Sequence, residues 1–190
     1  YKVIDPSNEE PCAEISLGGK KDIDKAVSAA KKAFDTWAFS KKEERLELLE
    51  KLYVIYKKRW AEMAKLITLE MGAPMKFSTE MQAATGASHI KSFKNILKDF
   101  KFEKDLGEEK NNQKLLYEPK GVCALITPWN WPINQVNLKV IPALASACTV
   151  VLKPSEIAPL SSMLLAEMID EAKFPSGVFN LVNGDGAITG

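Results

Sequence analysis

The sequence has few of the residues that build metal sites and disulfides. It holds one histidine and three cysteines in 190 residues, and Cys12, Cys123 and Cys148 lack metal-ligand spacing. We therefore expect no metal site. The odd number of cysteines and their apolar neighbours favour free thiols in a reducing compartment, so the sequence predicts a cytoplasmic protein.

Neither an excess of one charge nor a long apolar run is present. The 26 Lys and Arg residues nearly balance the 25 Asp and Glu residues. Such a balance provides no basic face for a phosphate backbone, so we expect no nucleic-acid partner. The longest apolar run, residues 140–152, contains Pro142 and is shorter than the roughly 20 residues that span a bilayer. We expect no membrane partner either.

Three regions differ in their sequence pattern. Residues 1–100 open with two short extended segments and then show apolar residues at helical spacing. Residues 101–120 alternate on both sides of a polar turn, which predicts an exposed hairpin. Residues 121–190 alternate strands with helices, which predicts a parallel sheet with right-handed crossovers. We therefore predict an α/β fold, with a Rossmann-like parallel sheet, helices and a protruding hairpin.

Polar residues at the ends of the helical patterns predict where the helices begin and end. Asp22 is expected to cap the first helix, and Ser40 and Glu43 have the spacing of a capping box for the second. A third helix is expected to end at Gly72, and a fourth to cover residues 77–100. In the last region, strands are expected at residues 121–126, 150–152 and 178–181, and helices at residues 134–147 and 160–172.

Ligands of a doubly wound sheet bind beyond the carboxyl ends of its strands, so the strand-to-helix turns are the places to look for a site. The first turn, residues 127–132, places Asn130 between two tryptophans and two prolines. Its carboxamide has the chemistry of an oxyanion donor, but asparagine beside proline is also a common turn former. Trp131, Gln135 and Leu138 then share one helix face, which fits a substrate passage or a core stripe.

The second and third turns carry residues that suit a dinucleotide. An ammonium from Lys153 and a carboxylate from Glu156 can bind ribose hydroxyls from two sides, although a plain surface ion pair gives the same pattern. A carboxylate there repels a 2′-phosphate, which favours NAD over NADP. The third turn, residues 183–186 and on to Gly190, is one residue longer than the dinucleotide fingerprint. Its glycines permit close approach of a ligand to the backbone.

No nucleophile can be assembled from these turns. Each cysteine is expected to be a small apolar filler. The one histidine, His89, lies within a helical pattern and is expected far from the three turns, on the surface or at a helix cap.

Taken together, the three turns resemble the NAD(P)-dependent aldehyde dehydrogenase superfamily. The residues that carry the resemblance are the ITPWNWP segment from Ile126 to Pro132, the KPSE segment from Lys153 to Glu156, and the NGDG segment that leads to Gly190. The similarity also includes the LEMGAP segment at residues 69–74 and matches the N-terminal portion of the family. It implies that residues 1–100 and 121–190 belong to a cofactor-binding domain, and that residues 101–120 belong to an oligomerisation domain.

The resemblance implies a reaction in which a cysteine thiolate attacks an aldehyde, hydride leaves to the nicotinamide, and a glutamate base activates the hydrolytic water. Asn130 matches the asparagine that stabilises the oxyanion. The implied cofactor-binding residues are Ile126, Thr127, Pro128, Trp129, Asn130, Lys153, Ser155, Glu156, Gly186 and Gly190. The implied substrate-binding residues are Trp131, Gln135 and Leu138.

Two departures from the family pattern concern the substrate. Trp131 stands where phenylalanine is usual, and Gln135 places an amide where many relatives have an apolar side chain, which suits a partly polar aldehyde.

In the family, the nucleophilic cysteine and the base lie downstream of the position that matches Gly190. We therefore expect the 190 residues alone to be inactive. The expected cofactor is NAD, with NADP as the alternative, and the expected assembly is a homodimer or homotetramer. The competing hypothesis is a non-catalytic module that keeps only a partial dinucleotide site or an interaction surface.

Overall fold

The structure, a computed structural model, describes residues 1–107 and 113–190. The tip of the predicted hairpin, at residues 108–112, lies outside the described residues. Among the helices of the described ranges, none combines the length and the hydropathy of a membrane span. The helices are α1 (Lys20–Trp37), α2 (Lys42–Lys58), α3 (Trp60–Met71), α4 (Met75–Phe77), α5 (Ala83–Asp99), α6 (Pro132–Ala145) and α7 (Leu160–Glu171), and a π-helical turn, Ser78–Gln82, joins α4 to α5.

A short antiparallel hairpin opens the chain, as the alternation predicts. Strands β1 (Lys2–Asp5) and β2 (Glu10–Glu14) pair across a turn in which the Glu9 N–H donates to the Asp5 carbonyl at 2.8 Å. The Asp5 carboxylate also accepts from the Ser7 N–H at 2.8 Å. A side chain that bonds to the backbone two residues on is typical of aspartate at a turn.

Two predicted helix caps are wrong, and one predicted helix end is confirmed. Asp22 is the third residue of α1, and its carboxylate accepts from the N–H of Gly19, the residue that precedes the helix. Ser40 lies one residue before the cap of α2, and its hydroxyl accepts from the Arg45 guanidinium at 3.0 Å instead of capping. Gly72 ends α3 with a φ of 74°, the left-handed conformation that glycine tolerates best.

A three-stranded parallel sheet confirms the predicted α/β architecture. Strands β5 (Val122–Ile126), β6 (Thr149–Lys153) and β7 (Phe179–Leu181) lie in that order, with α6 and α7 as the crossovers. The central strand β6 is buried along its whole length. Helix α6 begins at Pro132, two residues before the predicted start, because proline suits the first position of a helix.

Helices cover both faces of this sheet. On one face Val151 packs with Ala30 of α1 in a small cluster. On the other face Val150 and Leu152 join the main core, to which α2, α3, α5, α6 and α7 all contribute buried side chains. The alternation of side chains along β6 therefore divides the core into two layers.

The predicted exposed hairpin is confirmed where the structure describes it. Strands β3 (Glu103–Asp105) and β4 (Lys114–Leu116) pair antiparallel, and every residue in both strands is exposed. Phe102 at the base of the hairpin packs under the guanidinium of Arg45, with 5.1 Å from Cζ to the ring centroid. The base of the hairpin is thus attached to the helical layer, while its strands face solvent.

Candidate cofactor-binding site

The three strand-to-helix turns lie side by side at one edge of the sheet. Parallel pairing aligns Ile126 with Lys153 at the carboxyl ends of β5 and β6. The ladder continues beyond the strands, where the Thr127 N–H donates to the Lys153 carbonyl at 3.2 Å and the Val182 N–H donates to the Leu152 carbonyl at 2.9 Å. Residues from all three turns are therefore available to one ligand.

The second turn holds a largely buried ion pair. The Lys153 ammonium lies 3.0 Å from the Glu156 carboxylate, and the two side chains are 10% and 27% exposed. Burial alone would raise the pKa of Glu156, but its backbone hydrogen bond and Lys153 outweigh burial and lower that pKa. Glu156 is therefore ionised at neutral pH. Ser155 is also buried, and its hydroxyl accepts from the Ile157 N–H at 3.2 Å, which fixes the turn.

The third turn is a single helical turn organised by Asp185. Its carbonyl accepts from the Thr189 and Gly190 N–H groups at 3.2 and 3.1 Å, and its carboxylate accepts from the Ile188 N–H at 2.7 Å. A Cβ on Gly184 would lie 1.8 Å from the Thr189 hydroxyl, whereas a Cβ on Gly186 would meet nothing within 4 Å. Gly184, which was not among the predicted site residues, is thus required by packing, and Gly186 faces open space.

Gly18 fixes the third turn from the N-terminal side of the chain. Its N–H donates to the Asn183 carbonyl at 2.7 Å, and its carbonyl accepts from the Thr189 hydroxyl at 2.9 Å. A Cβ at this position would lie 2.7 Å from the Val182 side chain. This close approach joins segments far apart in the sequence, so no local pattern predicts it.

Asn130 and its neighbours in the first turn are largely open to solvent. Ile126 and Trp129 are 57% and 50% exposed, and Pro128 and Asn130 are also exposed, whereas Thr127 is buried. The turn runs directly into α6 at Pro132. The carboxamide therefore stands at the open edge of the sheet, on the same side as the Lys153–Glu156 pair.

Trp131, Gln135 and Leu138 face outward on α6, so the core-stripe interpretation is wrong. Leu138 is 44% exposed, and Trp131 and Gln135 are partly exposed. The core face of the same helix consists of Ile133, Val136, Val140, Ile141 and Leu144. Trp131 packs edge-on against Phe77, with ring centroids 5.5 Å apart. The sequence did not predict Phe77 as a neighbour of the site. The signal available for it was an aromatic residue in a helix just beyond Pro74.

His89 contacts α6 two residues after the first turn, so its predicted location far from the turns is wrong. Its Nε2 is 2.7 Å from the Asn134 side-chain oxygen, in the first turn of α6. Asn137 donates to the Gly86 carbonyl at 2.9 Å. These two contacts show that α5 packs along α6, a long-range pairing that helical periodicity alone does not reveal.

Glu70 is a buried carboxylate that was not predicted as a functional residue. It is 1% exposed and accepts from the N–H groups of Leu160 and Ser161, the latter at 3.1 Å. Burial raises the pKa of Glu70 to about 7, against the opposite effect of the hydrogen bonds from Ser161 and Leu160. In the sequence, Glu70 follows Met63 and Ile67 at positions i+7 and i+3, so all three share the buried face of α3. This placement of a carboxylate was the signal that could have identified it.

The surroundings of Cys12 and Cys123 raise the pKa of both thiols and so disfavour the thiolate, the form that acts as a nucleophile. Burial, followed by the neighbouring Cys148, raises the pKa of Cys123 to about 11, so its thiol stays protonated at neutral pH. Cys12 donates to the Val3 carbonyl at 3.4 Å. All three are free thiols; Cys148 is buried, as expected of a small apolar filler, whereas Cys12 and Cys123 are partly exposed.

A cavity of about 340 Å³ adjoins the turns. It is mostly apolar and ends at Lys153, Thr189 and Gly190; its remaining lining comes from Ile23, Val27, Val122, Ala124, Leu125, Ile126, Val151 and Val182. A larger cavity of about 480 Å³, between α7 and β7, contains none of the predicted site residues.

The residues at the turns fit a dinucleotide. Thr127 has a buried hydroxyl with no hydrogen-bond partner within the described part of the chain. Lys153 and Glu156 provide a cation and an anion for hydroxyl groups, and the open side of Gly186 permits close approach to the backbone. A parallel α/β sheet with such turns at its carboxyl edge is a Rossmann-like fold, the class in which ligands bind at that edge.

Comparison with known proteins specifies the family. The sequence profile described as "Aldehyde dehydrogenase family" matches residues 1–190, and the chain belongs to that family. The chain is 50% identical over 186 residues to a 3-succinoylsemialdehyde-pyridine dehydrogenase of Pseudomonas sp., a match that covers 97% of this chain and 38% of that protein.

Solved structures agree with this membership. An aldehyde dehydrogenase of Bartonella henselae shares 59% identity with a TM-score of 0.95, over 99% of this chain and 40% of that one. A cysteine-to-alanine mutant of AldC from Pseudomonas syringae, in complex with NAD+ and octanal, shares 41% identity with a TM-score of 0.95, over 99% and 38% of the two chains. The chain thus spans about two-fifths of the length of these relatives.

Proposed function

We propose that the protein containing this chain oxidises an aldehyde to a carboxylic acid with NAD+, through a cysteine thiohemiacetal and thioester. The observation that carries the proposal is the arrangement of the Lys153–Glu156 pair and the Asn130 turn at one sheet edge, in a member of the aldehyde dehydrogenase family. In this proposal the chain supplies the cofactor site and the oxyanion donor. The nucleophile and the base come from the part of the protein that follows the match to this chain.

Asn130 has the central role in the proposed chemistry. Its NH₂ group donates a hydrogen bond to the oxygen of the aldehyde, which becomes an anion when the thiolate adds to the carbonyl carbon. When NAD+ is bound, its nicotinamide would supply the hydride acceptor. Trp129 and Trp131 are the sequence neighbours of Asn130, and Pro132 fixes the beginning of α6.

The proposed cofactor preference for NAD depends on the charge of Glu156. Lys153 and Glu156 bind the hydroxyl groups of the adenosine ribose, and Thr127, Gly186 and Gly190 line the rest of the dinucleotide path. Glu156 is ionised, and Asp185 lies close enough to raise the pKa of Glu156. The negative charges of both carboxylates therefore oppose a 2′-phosphate. NAD binding by AldC, a solved relative at 41% identity, supports the same choice.

The proposed substrate is a partly polar aldehyde that approaches along α6. Trp131 and Leu138 offer apolar surface, and Gln135 places an amide between them. Lys139 donates to the Gln135 backbone carbonyl at 3.3 Å and to its side-chain oxygen at 3.4 Å, so the Gln135 NH₂ group is left to bind a substrate oxygen. The names of the relatives span a pyridine semialdehyde and octanal, which supports an aldehyde with both apolar and polar parts.

NADH formation tests the proposed activity. The full-length protein is expected to reduce NAD+ when an aldehyde is added, and the chain of 190 residues alone is expected to show no such activity. An oxyanion donor and a ribose clamp cannot replace a nucleophile and a base. The measurement is aldehyde-dependent NADH absorbance with both proteins at equal concentration, after circular dichroism has shown that the short chain is folded.

Turnover by the short chain at about one per second or faster would contradict this prediction. A full-length protein that binds NAD+ but oxidises none of a panel of aliphatic, aromatic and polar aldehydes would instead support the competing hypothesis of a non-catalytic module.

We also propose that the hairpin of residues 101–120 joins copies of the protein into a homodimer or homotetramer. Large apolar side chains are exposed on the hairpin, including Leu106, Leu115, Leu116 and Tyr117, which are 48%, 37%, 57% and 42% exposed. An edge hairpin with such side chains is prone to pairing with another chain.

We also propose a cytoplasmic location for the protein. The free thiols at the three cysteines support this location.

Leu116→Lys in the full-length protein is expected to shift the assembly toward monomer, because it places a charge in the proposed interface. Analytical ultracentrifugation at micromolar concentration measures the change. Val54→Lys, at a side chain that is 42% exposed on α2, is the matched control and should leave the assembly unchanged. Wild-type protein that sediments as a monomer would refute the proposed oligomer.

A further inference from the structure

We propose that Glu70 is a positioning residue for the cofactor site: it fixes the beginning of α7 and thereby holds the turn that carries Lys153 and Glu156. This inference rests on the proposed function, because it assigns the Lys153–Glu156 pair to cofactor binding. Glu70 belongs to the LEMGAP segment, far in sequence from the three turns and outside the residues that the resemblance assigns to the site.

The contacts of Glu70 are those of a helix cap supplied by a distant part of the chain. Leu160 and Ser161, the first two residues of α7, both donate their N–H groups to its carboxylate, across 90 and 91 positions in the sequence. The residue before α7 is Pro159, which has no side-chain acceptor to cap the helix. Glu70 therefore provides the acceptor that α7 lacks locally.

The cap is connected to the ion pair by a short and stiff segment. Residues 154–159 join the end of β6 to the beginning of α7, with a proline at each end. Pro154 and Ser155 are buried, and Ala158 is 2% exposed. One end of the segment is held by the sheet and the other by Glu70, so we expect a shift of the first turn of α7 to move Glu156.

The position of Glu70 also argues against a role in packing alone. It is the last buried position of α3, where an apolar side chain would fill the space without the cost of removing a carboxylate from water. Two N–H groups and the positive end of the α7 dipole offset part of that cost. A carboxylate at this place is therefore explained by the helix that it anchors.

Glu70→Ala and Glu70→Gln in the full-length protein test the inference. Alanine removes both acceptors, whereas glutamine keeps the size and one acceptor oxygen. Met63→Ala, at a fully buried side chain of the same helix, is the control for a general loss of stability. The measurements are the NAD+ dissociation constant by fluorescence titration, kcat at saturating NAD+, and the melting temperature of each variant.

We expect Glu70→Ala to weaken NAD+ binding by about tenfold, the equivalent of one lost helix cap. Turnover at saturating NAD+ should change by less than about threefold, because Asn130 lies on another turn. Glu70→Gln should restore most of the affinity. Met63→Ala should lower the melting temperature and leave the dissociation constant within about twofold of the wild-type value.

Three results would overturn the inference. In the first, Glu70→Ala melts at a lower temperature but binds NAD+ like the wild type. In the second, Met63→Ala weakens NAD+ binding as much as Glu70→Ala does, which would indicate a structural role only. In the third, Glu70→Ala does not fold, and Glu70→Gln folds but binds NAD+ much more weakly than the wild type does. Failure of the wild-type protein to bind NAD+ would refute the proposed function itself, and this outcome is distinct from all three.

Discussion

Asn130→Ala in the full-length protein is expected to lower turnover by roughly 10²–10³, the usual consequence of removing one preorganised oxyanion donor. Charge develops on the aldehyde oxygen only in the transition state, so the loss should appear in kcat. Cofactor affinity should change little, because Lys153 and Glu156 bind the other end of the dinucleotide. Steady-state kinetics and a titration with NAD+ measure the two effects separately.

Asn130→Asp is the matched variant that separates the two interpretations of this residue. Aspartate keeps the size and the turn-forming tendency of asparagine, but its carboxylate cannot donate a hydrogen bond. If Asn130 is the oxyanion donor, the aspartate variant should be as inactive as the alanine variant while its melting temperature stays close to the wild-type value. If Asn130 only shapes the turn, the aspartate variant should keep turnover within about tenfold of the wild type. The alanine variant should then lose thermal stability instead.

The exposed position of Asn130 makes this comparison informative. Asn130 is exposed between its sequence neighbours Trp129 and Trp131, so its side chain is not part of the buried core. Because Pro132 already fixes the beginning of α6, removal of the carboxamide should disturb the fold little. A large effect on turnover would then report on chemistry.

Local signals in the sequence predicted most of the secondary structure. The alternation of strands and helices after residue 121 predicted the parallel sheet, because crossovers between parallel strands need a helix of about this length. Gly72 predicted the end of α3, since its left-handed backbone is unfavourable for other residues. Each of these signals depends only on residues close together in the chain.

Capping residues were harder to predict than helix interiors. Ser40 has the spacing of a capping box, but the buried Arg45 guanidinium donates to both its hydroxyl and its carbonyl. A charged donor competes with a backbone N–H for the same oxygen and forms the stronger bond. The sequence shows the spacing, but it does not show that Arg45 folds back onto Ser40.

The parts of the site that sequence did not predict depend on contacts between distant segments. Gly18 binds the third turn, His89 contacts the beginning of the helix after the first, and Glu70 caps the helix after the second. Each of the three lies more than 40 positions from its partner, where no periodicity connects the two. The turns themselves were visible in the sequence, whereas the residues that hold them were not.

Lys153→Met is expected to weaken NAD+ binding in the full-length protein by roughly ten- to a hundredfold. Hydrogen bonds that involve a charged group contribute about 1.5–3 kcal/mol, and methionine fills the same space without a donor. The substitution also leaves the Glu156 carboxylate partly buried without its cation, so its pKa should rise. Because the Asn130 turn is unchanged, kcat at saturating NAD+ should fall by much less than the affinity does.

Glu156→Gln tests the other half of the pair and should act mainly on cofactor choice. Loss of the carboxylate removes a charge that repels a 2′-phosphate, so the ratio of NADP+ to NAD+ affinity should rise by roughly tenfold or more, most of all at low salt. The double variant Lys153→Met with Glu156→Gln controls for the unpaired carboxylate left by the first change. If the double variant binds NAD+ as the wild type does, the pair is an ion pair of the fold alone and the ribose is bound elsewhere. Affinity that stays low in the double variant assigns the ribose hydroxyls to Lys153 and Glu156, because no stranded charge is left to account for the loss.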